Sequence, residues 1–299
     1  MFERLGLIGC GLMGGSFALA LKRAGLVQRV VGYSRSPASS RRARELGVID
    51  EDVATAAQAA TGADLVLLAV PVAATESTLR ALQPALAADT LIMDVGSTKA
   101  DVAAAAERAL GERADVFVPC HPITGREVAG VEHADPHLYR GTQVIVTPTG
   151  RTPAARLEQA VAVWRALGCK VLSMPPAAHD AALAAVSHLP HLLAFAFMNS
   201  LVEQADGPSY LSMAGPGFRD FSRIAAGDPA LWRDVLIANR EQIGAQLRHF
   251  QQALADLQQA MDHSSSDVLM QLIERASTAR AGWAGPALAP ADPVPPSHV

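Results

Sequence analysis

The chain has 299 residues, 50% of them apolar, which allows one large domain or two ordinary domains with a sizeable core. Its net charge of −4, from 25 basic and 29 acidic residues, provides no bulk attraction for nucleic acid or for an anionic membrane. The three widely spaced cysteines predict neither a disulfide framework nor a zinc site. No signal peptide and no uninterrupted apolar stretch of about 18 residues is recognisable, so a cytoplasmic protein without a membrane span is expected.

Residues 1–174 alternate short apolar runs with alanine-rich helical patterns, such as those over 99–110 and 153–167. Continuous apolar runs are typical of strands that are buried on both faces. Repeated alternation of strand and helix predicts an α/β fold with a Rossmann-type, doubly wound and largely parallel sheet. The predicted strands are 5–9, 29–33, 64–70, 90–95, 115–120, 142–148 and 169–174.

Residues 175–280 differ, because they show long helical patterns and no strand signal. One alanine-rich apolar pattern covers 179–204 and should be kinked at Pro190. A longer pattern covers 229–261, and a third covers 265–280.

These long helices are apolar over more than one face, as helices buried on several sides are. We therefore expect residues 175–280 to form an all-helical dimerisation domain that packs against a second copy of the chain, giving a homodimer. Residues 281–299 are rich in proline and alanine with little to bury, and they predict a disordered tail.

A glycine-rich motif follows the first predicted strand directly. It reads GCGLMG from residue 9 to residue 14, a G-x-G-x-x-G pattern between a strand and a helix. The first glycine makes a tight turn, the second lets the backbone approach a pyrophosphate, and the third allows close packing of helix and strand. The following helix N-terminus offers unpaired N–H groups to phosphates. We therefore predict a dinucleotide site that includes Gly9, Gly11, Leu12, Met13 and Gly14.

The residues after the second strand bear on which nicotinamide cofactor binds. NAD-binding proteins usually have Asp or Glu at this point, but the chain has Ser34, Arg35 and Ser36. A carboxylate would repel a 2′-phosphate, whereas hydroxyl and guanidinium groups would bind one. NADP is therefore favoured over NAD, which stays possible if Arg35 only stacks on adenine or lies in solvent. Val70 and Pro71, at the end of another strand, form an apolar edge suited to a nicotinamide ring.

Two polar residues at strand ends are candidates for catalysis. Ser97 follows the strand over 90–95, and His121 follows the strand over 115–120. The carboxyl ends of parallel strands line the ligand crevice, so both side chains should face it. Oxidation of an alcohol needs a base for the hydroxyl proton, and histidine has a pKa suited to that role. His121 is therefore the candidate base, although a histidine taken alone is more often structural.

The helical part adds side chains whose roles the residues alone leave open. His188 and His191 have the spacing of two metal ligands, but no third ligand with telling spacing accompanies them, so no metal site is predicted. A capped helix start with a hydrogen-bonded histidine is the alternative. Arg223 lies in an apolar helical neighbourhood, where it would pair with an anionic substrate, with Asp220 or with Asp228.

Together these motifs resemble the prephenate/arogenate (cyclohexadienyl) dehydrogenase family. The resemblance covers residues 5–262 and is specific, because eight segments occur in the family's order. They are GCGLMGGSFALAL, LAVPV, DVGSTK, CHPITGREVAGVEHAD, VIVTP, VSHLPHLLAFA, GFRDFSRIA and DPALWRDV. The resemblance implies a Rossmann-type domain followed by a helical dimerisation domain, with the active site between them.

The resemblance also implies roles for individual side chains. His121 would be the general base, and Ser97 would orient both that histidine and the reacting hydroxyl. Arg223 would bind a substrate carboxylate. The other implied substrate-pocket residues are His188, His191 and Trp232, and the acidic positions at the entrance match Glu127 and Asp220.

The implied reaction is the oxidative decarboxylation of prephenate, arogenate or both, with hydride transfer to NADP or NAD, in tyrosine biosynthesis. The products would be 4-hydroxyphenylpyruvate and tyrosine, and the sequence does not distinguish the two substrates. One alternative is a β-hydroxyacid dehydrogenase, but residues 180–204 lack the lysine expected there. Another is a non-enzymatic NADP-sensing protein, which need not keep Ser97, His121 and Arg223 together.

Overall fold

The computed structural model describes residues 1–125 and 128–283. The chain divides into two compact units, Met1–Ile243 and Gly244–Val299. In the described residues, every strand lies in the first unit, and the elements after the last strand are all helical. The expectation of an α/β part followed by a helical part is therefore confirmed, whereas the boundaries at 174 and 280 stay predictions.

The main sheet has six parallel strands. They are β1 (Phe2–Ile8), β2 (Val27–Tyr33), β3 (Glu51–Asp52), β4 (Leu65–Leu68), β5 (Leu91–Asp94) and β6 (Phe117–Val118). Their order in the sheet is β3-β2-β1-β4-β5-β6. The order reverses between β1 and β4, and sheets of this kind bind ligands at that point, beyond the carboxyl ends of the strands. The two-residue strand β3 was not predicted, because so short a polar segment has no recognisable pattern.

A second, smaller sheet contains β7 (Cys120–Ile123), β8 (Gln143–Val146) and β9 (Lys170–Ser173). Strand β7 is antiparallel to β8, whereas β9 is parallel to β8. The prediction of one largely parallel sheet is correct for the six-stranded sheet, but it missed this separate sheet.

The prediction of a single strand over 115–120 is wrong. A 3-10 segment, Gly111–Val116, precedes β6, and Pro119 separates β6 from β7. Proline has no N–H to donate to a neighbouring strand, so a sheet ladder ends there. The next N–H, that of Cys120, donates to the carboxylate of Asp94 at 2.8 Å, which turns the chain into the second sheet.

Thirteen α-helices are present in the described residues. Those of the α/β part are α1 (Leu12–Arg23), α2 (Pro37–Glu45), α3 (Ala56–Ala60), α4 (Thr75–Leu82), α5 (Ala100–Leu110) and α6 (Ala154–Ala166). Those that follow are α7 (Pro176–Leu183), α8 (Leu189–Val202), α9 (Gly207–Ser212), α10 (Pro216–Ser222), α11 (Pro229–Ala238), α12 (Arg240–Asp262) and α13 (Ser266–Gly282).

The helical pattern over 179–204 is distorted before Pro190 rather than simply kinked at it. The π-helical turn Ala184–His188 separates α7 from α8. Pro190 has no N–H for the carbonyl four residues earlier, and a wider turn before it absorbs this mismatch. His188 therefore lies in the distorted turn.

The pattern over 229–261 is not one helix, because it breaks at Asn239 between α11 and α12. Asn239 is buried, and its Nδ2 donates to the backbone carbonyl of Asp180 at 2.8 Å and to Nδ1 of His188 at 3.0 Å. These two contacts over long sequence separations hold the residue outside helical geometry, and buried polar groups need such partners. At its other end α11 is capped by Asp228, whose Oδ1 accepts from the N–H of Leu231 at 2.7 Å.

Helix α13 extends to Gly282, so residues 281 and 282 of the predicted tail are helical. Trp283 follows the helix, and residues 284–299 of the predicted tail lie outside the described residues. Its predicted disorder stays an expectation.

The segment Pro176–Val202 is long and apolar enough, by length and composition alone, to cross a membrane, with a mean hydropathy of 1.6 in its most apolar window. Core helices of water-soluble proteins pass the same test, so this is weak evidence for a span. His179, Asp180 and His188 in this segment are buried and hydrogen-bonded to other parts of the chain. Such contacts are typical of a helix packed within a folded domain.

Candidate active site

The carboxyl edge of the main sheet brings several predicted site residues together. Gly9, Val70 and Ser97 follow β1, β4 and β5, which are neighbours in the sheet. Because these strands are parallel, the residues after them lie at one edge. His121 joins this edge because the preceding residue, Cys120, is hydrogen-bonded to Asp94 at the end of β5.

The glycine loop has the geometry that a dinucleotide requires. Gly9 has a φ of 103°, and a Cβ on it would lie 2.1 Å from the carbonyl oxygen of Ala69. A Cβ on Gly14 would lie 2.1 Å from the carbonyl oxygen of Gly9, so helix and loop could not pack as closely. A Cβ on Gly11 would meet nothing within 4 Å, and Gly11 offers no side-chain cap to the first turn of α1. Open space in front of uncapped N–H groups fits a pyrophosphate.

A cavity of about 650 Å³ extends from this loop towards α2. Its lining includes Gly9, Gly11 and Ser34 among the residues predicted to bind the cofactor. The Ser34 hydroxyl accepts a hydrogen bond from the N–H of Cys10 at 2.9 Å, which fixes it beside the loop. Arg35 and Ser36 are exposed next to the cavity without lining it.

His121 is the first member of a hydrogen-bonded chain that ends at a carboxylate. Its Nδ1 lies 2.8 Å from Nε2 of His179, and Nδ1 of His179 lies 2.8 Å from Oδ1 of Asp180. The Asp180 carboxylate also accepts from the backbone N–H groups of Lys99 and Ala100, at 2.8 and 2.9 Å. Those N–H groups belong to the start of α5, and a helix N-terminus stabilises a negative charge.

The hydrogen bonds from His121 through His179 to Asp180 determine which nitrogen of His121 can accept a proton. Burial raises the pKa of Asp180, but hydrogen bonds from His179 and from the backbone outweigh it, so the pKa is lowered. The ionised carboxylate accepts from Nδ1–H of His179, which makes Nε2 of a neutral His179 an acceptor. Nδ1 of His121 must then donate its N–H to His179, leaving a lone pair on Nε2 of His121.

The surroundings of His121 keep the imidazole neutral. Burial lowers the pKa of His121 well below the ordinary histidine value, and the positive charge of the nearby Lys99 lowers it further. A neutral imidazole with its lone pair on Nε2 can act as a general base.

A buried ion pair between Asp94 and Lys99 supports both the loop that contains Ser97 and strand β7, which contains His121. Lys99 is fully buried, and its Nζ donates to Oδ2 of Asp94 and, at 2.8 Å, to the carbonyl of Cys120. Asp94 accepts from the N–H groups of Gly96 and Cys120, both at 2.8 Å. These charge-assisted bonds join the end of β5, the loop that contains Ser97, and the start of β7.

Ser97 lies half-buried in the loop between β5 and α5. Across residues 1–125 and 128–283 its hydroxyl makes no hydrogen bond, and the described partner of His121 is His179. The predicted role of Ser97 as the residue that orients His121 therefore stays a prediction.

His188, His191 and Trp232 form an aromatic cluster on the helices. His191 stacks on Trp232 with ring centroids 3.6 Å apart, and His188 approaches the same ring edge-on at 6.2 Å. Burial lowers the pKa of His188 to about 4, and its Nδ1 accepts from Asn239, so Nε2 of His188 bears the N–H. In the described part of the chain, no group of three His, Cys, Asp or Glu side chains could hold a metal ion.

Arg223 begins the 3-10 turn Arg223–Ala226, which packs against α8. Residues of this turn line a cavity of about 620 Å³ together with Phe195 and Trp232. Asp220, one partner considered for Arg223, lies 3.8 Å from the guanidinium of Arg219. Glu127, the other acidic residue expected at the entrance, lies outside the described residues.

Sequence reasoning did not identify the residues that connect the site. These are Asp94, Lys99, His179, Asp180 and Asn239. Two signals were present, because Asp94 and Lys99 flank the serine in DVGSTK, and an adjacent histidine and aspartate are unusual in an alanine-rich helix. Neither signal reveals the contacts, which join residues far apart in sequence.

Two family models match the chain. One, described as prephenate dehydrogenase, nucleotide-binding domain, matches residues 17–173. The other, described as prephenate dehydrogenase, dimerization domain, matches residues 175–275.

Individual proteins are similar over almost the whole chain. A cyclohexadienyl dehydrogenase from Zymomonas mobilis is 33% identical over 282 residues, which cover 94% of this chain and 96% of the relative. The structure of prephenate dehydrogenase from Aquifex aeolicus with hydroxyphenyl propionate and NAD+ is similar with a TM-score of 0.87 and 35% identity, covering 94% of this chain and 98% of the other. Arogenate dehydrogenase from Synechocystis gives a TM-score of 0.79 at 28% identity, over 93% and 99% of the two chains.

Proposed function

The chain belongs to the prephenate dehydrogenase family, and on that basis we propose that it oxidatively decarboxylates prephenate, arogenate or both in an NAD(P)-dependent reaction of tyrosine biosynthesis. The main supporting observation is the hydrogen-bonded chain from Asp180 through His179 to His121. It presents a neutral histidine at the sheet edge that also bears the glycine loop. A dehydrogenase needs a base and a dinucleotide at one place.

In this reaction Nε2 of His121 takes the proton of the hydroxyl on C4 of the substrate ring, while that carbon becomes a carbonyl carbon. When bound, the oxidised nicotinamide supplies the acceptor for the hydride that leaves C4. The ring carboxylate departs as CO2, its bonding electrons enter the ring, and the C4 oxygen regains the proton from His121, so that the product is an aromatic phenol. Asp180, through His179, stabilises the positive charge that His121 gains. The residues mainly position the substrate and stabilise charge, since aromatisation supplies much of the driving force.

The activity is tested by mixing the protein with prephenate or arogenate and with NADP or NAD, and by following absorbance of the reduced cofactor. We expect reduction that depends on a cyclohexadienol substrate, with 4-hydroxyphenylpyruvate or tyrosine as the product. Absence of reduction in all four combinations, with folded protein, would contradict the proposal.

We assign Arg223 to a substrate carboxylate, which a guanidinium can bind through two parallel hydrogen bonds. Loss of a charge-assisted contact lowers kcat/KM by about 10- to 150-fold. Arg223→Ala should therefore raise KM strongly and leave cofactor affinity nearly unchanged, and Arg223→Lys should restore only part of the loss. Measuring KM and melting temperature on the same preparation tests the assignment. A variant that melts earlier but keeps its KM would show a structural ion pair instead.

We propose that NADP is the preferred cofactor. Ser34 lines the cavity where many NAD-binding proteins have a carboxylate, and its hydroxyl is held beside the glycine loop. The unaltered protein should give a higher kcat/KM with NADP than with NAD. Ser34→Asp should shift the ratio towards NAD, because its carboxylate would repel a 2′-phosphate and accept from ribose hydroxyls. A higher kcat/KM with NAD in the unaltered protein refutes the preference.

We propose a homodimer formed through a helical domain that comprises residues 175–280. The match of residues 175–275 to a dimerization domain supports this. Sedimentation velocity at micromolar concentration should therefore give the mass of two chains. A monomer under those conditions would refute the proposal.

We also propose a cytoplasmic location. The three cysteines, Cys10, Cys120 and Cys169, are unpaired and buried, as is common for proteins of a reducing compartment. Fractionation of cells that contain the protein should recover it with the cytoplasmic enzymes.

A further inference from the structure

The nucleotide cavity contains two arginines that the sequence motif does not include. Arg41 and Arg42, on α2, line the cavity together with Ser34 and the glycine loop. Arg35, the arginine expected from sequence to meet a 2′-phosphate, does not line it. Among the residues that line the cavity, the two positive charges are therefore those of Arg41 and Arg42 on α2.

A segment that we call the strap, residues 130–139, contacts both helices beside the cavity. Its 3-10 turn, Val131–His133, packs on α1 and on α2. The strap is tied to α1 by two hydrogen bonds, from the N–H of Asp135 to Ser16 Oγ at 2.9 Å and from Tyr139 Oη to the carbonyl of Met13 at 2.7 Å. The position of the strap relative to the cofactor helix is therefore well defined.

Glu132 extends from the strap to one of the two arginines. Its Oε1 lies 3.4 Å from Nε of Arg42, whose Nη1 also contacts Glu45 at 3.1 Å. Gly130 has a φ of 105°, and a Cβ on it would lie 2.7 Å from Oε2 of Glu132. A glycine at this position therefore leaves room for the carboxylate beside Arg42.

We propose that Arg42 binds the 2′-phosphate of the cofactor and that Glu132 competes with this phosphate for the same guanidinium, so that this pair tunes the choice between NADP and NAD. A phosphate with more than one negative charge binds a guanidinium more strongly than a carboxylate does, so it displaces Glu132. A cofactor without the 2′-phosphate leaves the pair intact. The inference rests on the proposed dinucleotide site and deepens the proposed preference for NADP.

The test uses two cofactor fragments, 2′,5′-ADP and 5′-AMP, which differ only in the 2′-phosphate, with dissociation constants measured by calorimetry. Arg42→Gln should weaken 2′,5′-ADP about 10-fold and leave 5′-AMP unchanged. Glu132→Gln should tighten 2′,5′-ADP by about two- to fivefold, again without effect on 5′-AMP. In the double variant the Glu132 change should have no further effect, because its target is gone.

Matched controls come from the same helix and from a distant carboxylate. Arg44→Gln removes an arginine of α2 that pairs with Asp52 at 2.7 Å and does not line the cavity. Glu107→Gln removes an exposed carboxylate of α5. Neither change should alter the ratio of the two dissociation constants. The effects of Arg42 and Glu132 should shrink as salt is added, because both act through exposed charges.

Equal weakening of both fragments by Arg42→Gln, with an unchanged melting temperature, would overturn the role of Arg42. A Glu132→Gln variant that does not tighten 2′,5′-ADP would overturn the competition, whatever happens to the stability of the arginine variant. The proposed preference for NADP is a separate matter, and it is refuted if the unaltered protein has a higher kcat/KM with NAD. In that case a selective loss of 2′,5′-ADP binding in Arg42→Gln would still support the role of Arg42.

Discussion

His121→Asn should lower kcat by about two to four orders of magnitude while the dissociation constant for NADP stays unchanged. The asparagine amide can donate or accept a hydrogen bond, but it cannot take up the hydroxyl proton. The cofactor loop follows β1 and the histidine lies on β7, so the substitution leaves the glycine geometry intact. Stopped-flow turnover and a fluorescence titration with NADP on the same preparation measure the two quantities.

The pH dependence of the unaltered protein supplies a second readout for the same residue. The pKa of His121 is well below the ordinary histidine value, so the imidazole is neutral at pH 7 and stays neutral as the pH falls through about 6.5. In the pH profile of kcat/KM, the fall in activity on the acid side should therefore lie below pH 6.5. This acid limb should disappear in His121→Asn. Asp180→Asn should lower kcat as well, because an amide no longer defines the His179 tautomer.

His263→Asn is the matched control, since His263 is an exposed histidine of the second unit. It should leave turnover, NADP affinity and the acid limb unchanged. Near-normal turnover in His121→Asn would contradict the assignment of His121 as the base.

The features that could be predicted from sequence are those that short segments determine. Four apolar runs, and two residues of a fifth, became strands of the main sheet, because a parallel sheet covered on both faces needs continuous apolar residues. The G-x-G-x-x-G spacing located the loop at which Gly9 and Gly14 exclude a side chain. Ser97 and Val70 could be placed at one edge because parallel strands all end there, whereas His121 lies there because Cys120 is hydrogen-bonded to Asp94, a contact that the sequence does not show.

The features that sequence did not reveal depend on contacts between distant residues. The partners of Asp180 lie 81 and 80 residues away at Lys99 and Ala100, and His179 is 58 residues from His121. The break at Asn239 depends in the same way on His188, 51 residues away. A local pattern cannot show such partners, since helix periodicity at 229–261 continues through the asparagine.

Lys99→Met should lower the free energy of unfolding by about 3–5 kcal/mol, the second large effect that we expect. The substitution leaves the nearly fully buried carboxylate of Asp94 without its cationic partner. Asp94 would retain only the N–H donors of Gly96 and Cys120. For a unit of this size the melting temperature should fall by roughly 6–20 °C.

Lys22→Met is a matched control, because it also removes a lysine from an ion pair. Lys22 and Asp50 lie 2.6 Å apart, but their side chains are 25% and 41% exposed to solvent. Water can solvate the remaining carboxylate, so this change should lower the free energy of unfolding by less than about 1 kcal/mol. A similar loss in both variants would show that burial of the Asp94–Lys99 pair has no special role.

The double variant Asp94→Asn/Lys99→Met separates the charge from the packing. It removes both buried charges, so it should be more stable than Lys99→Met, with a coupling that a double-mutant cycle measures.

Loss of the Lys99 charge should also raise the pKa of His121, since Lys99 is one of the groups that lower it. The acid limb of kcat/KM should then move to higher pH in Lys99→Met, at a temperature where that variant is folded. If the acid limb does not move while the stability falls, Lys99 only holds the strands together and does not shift the pKa of His121.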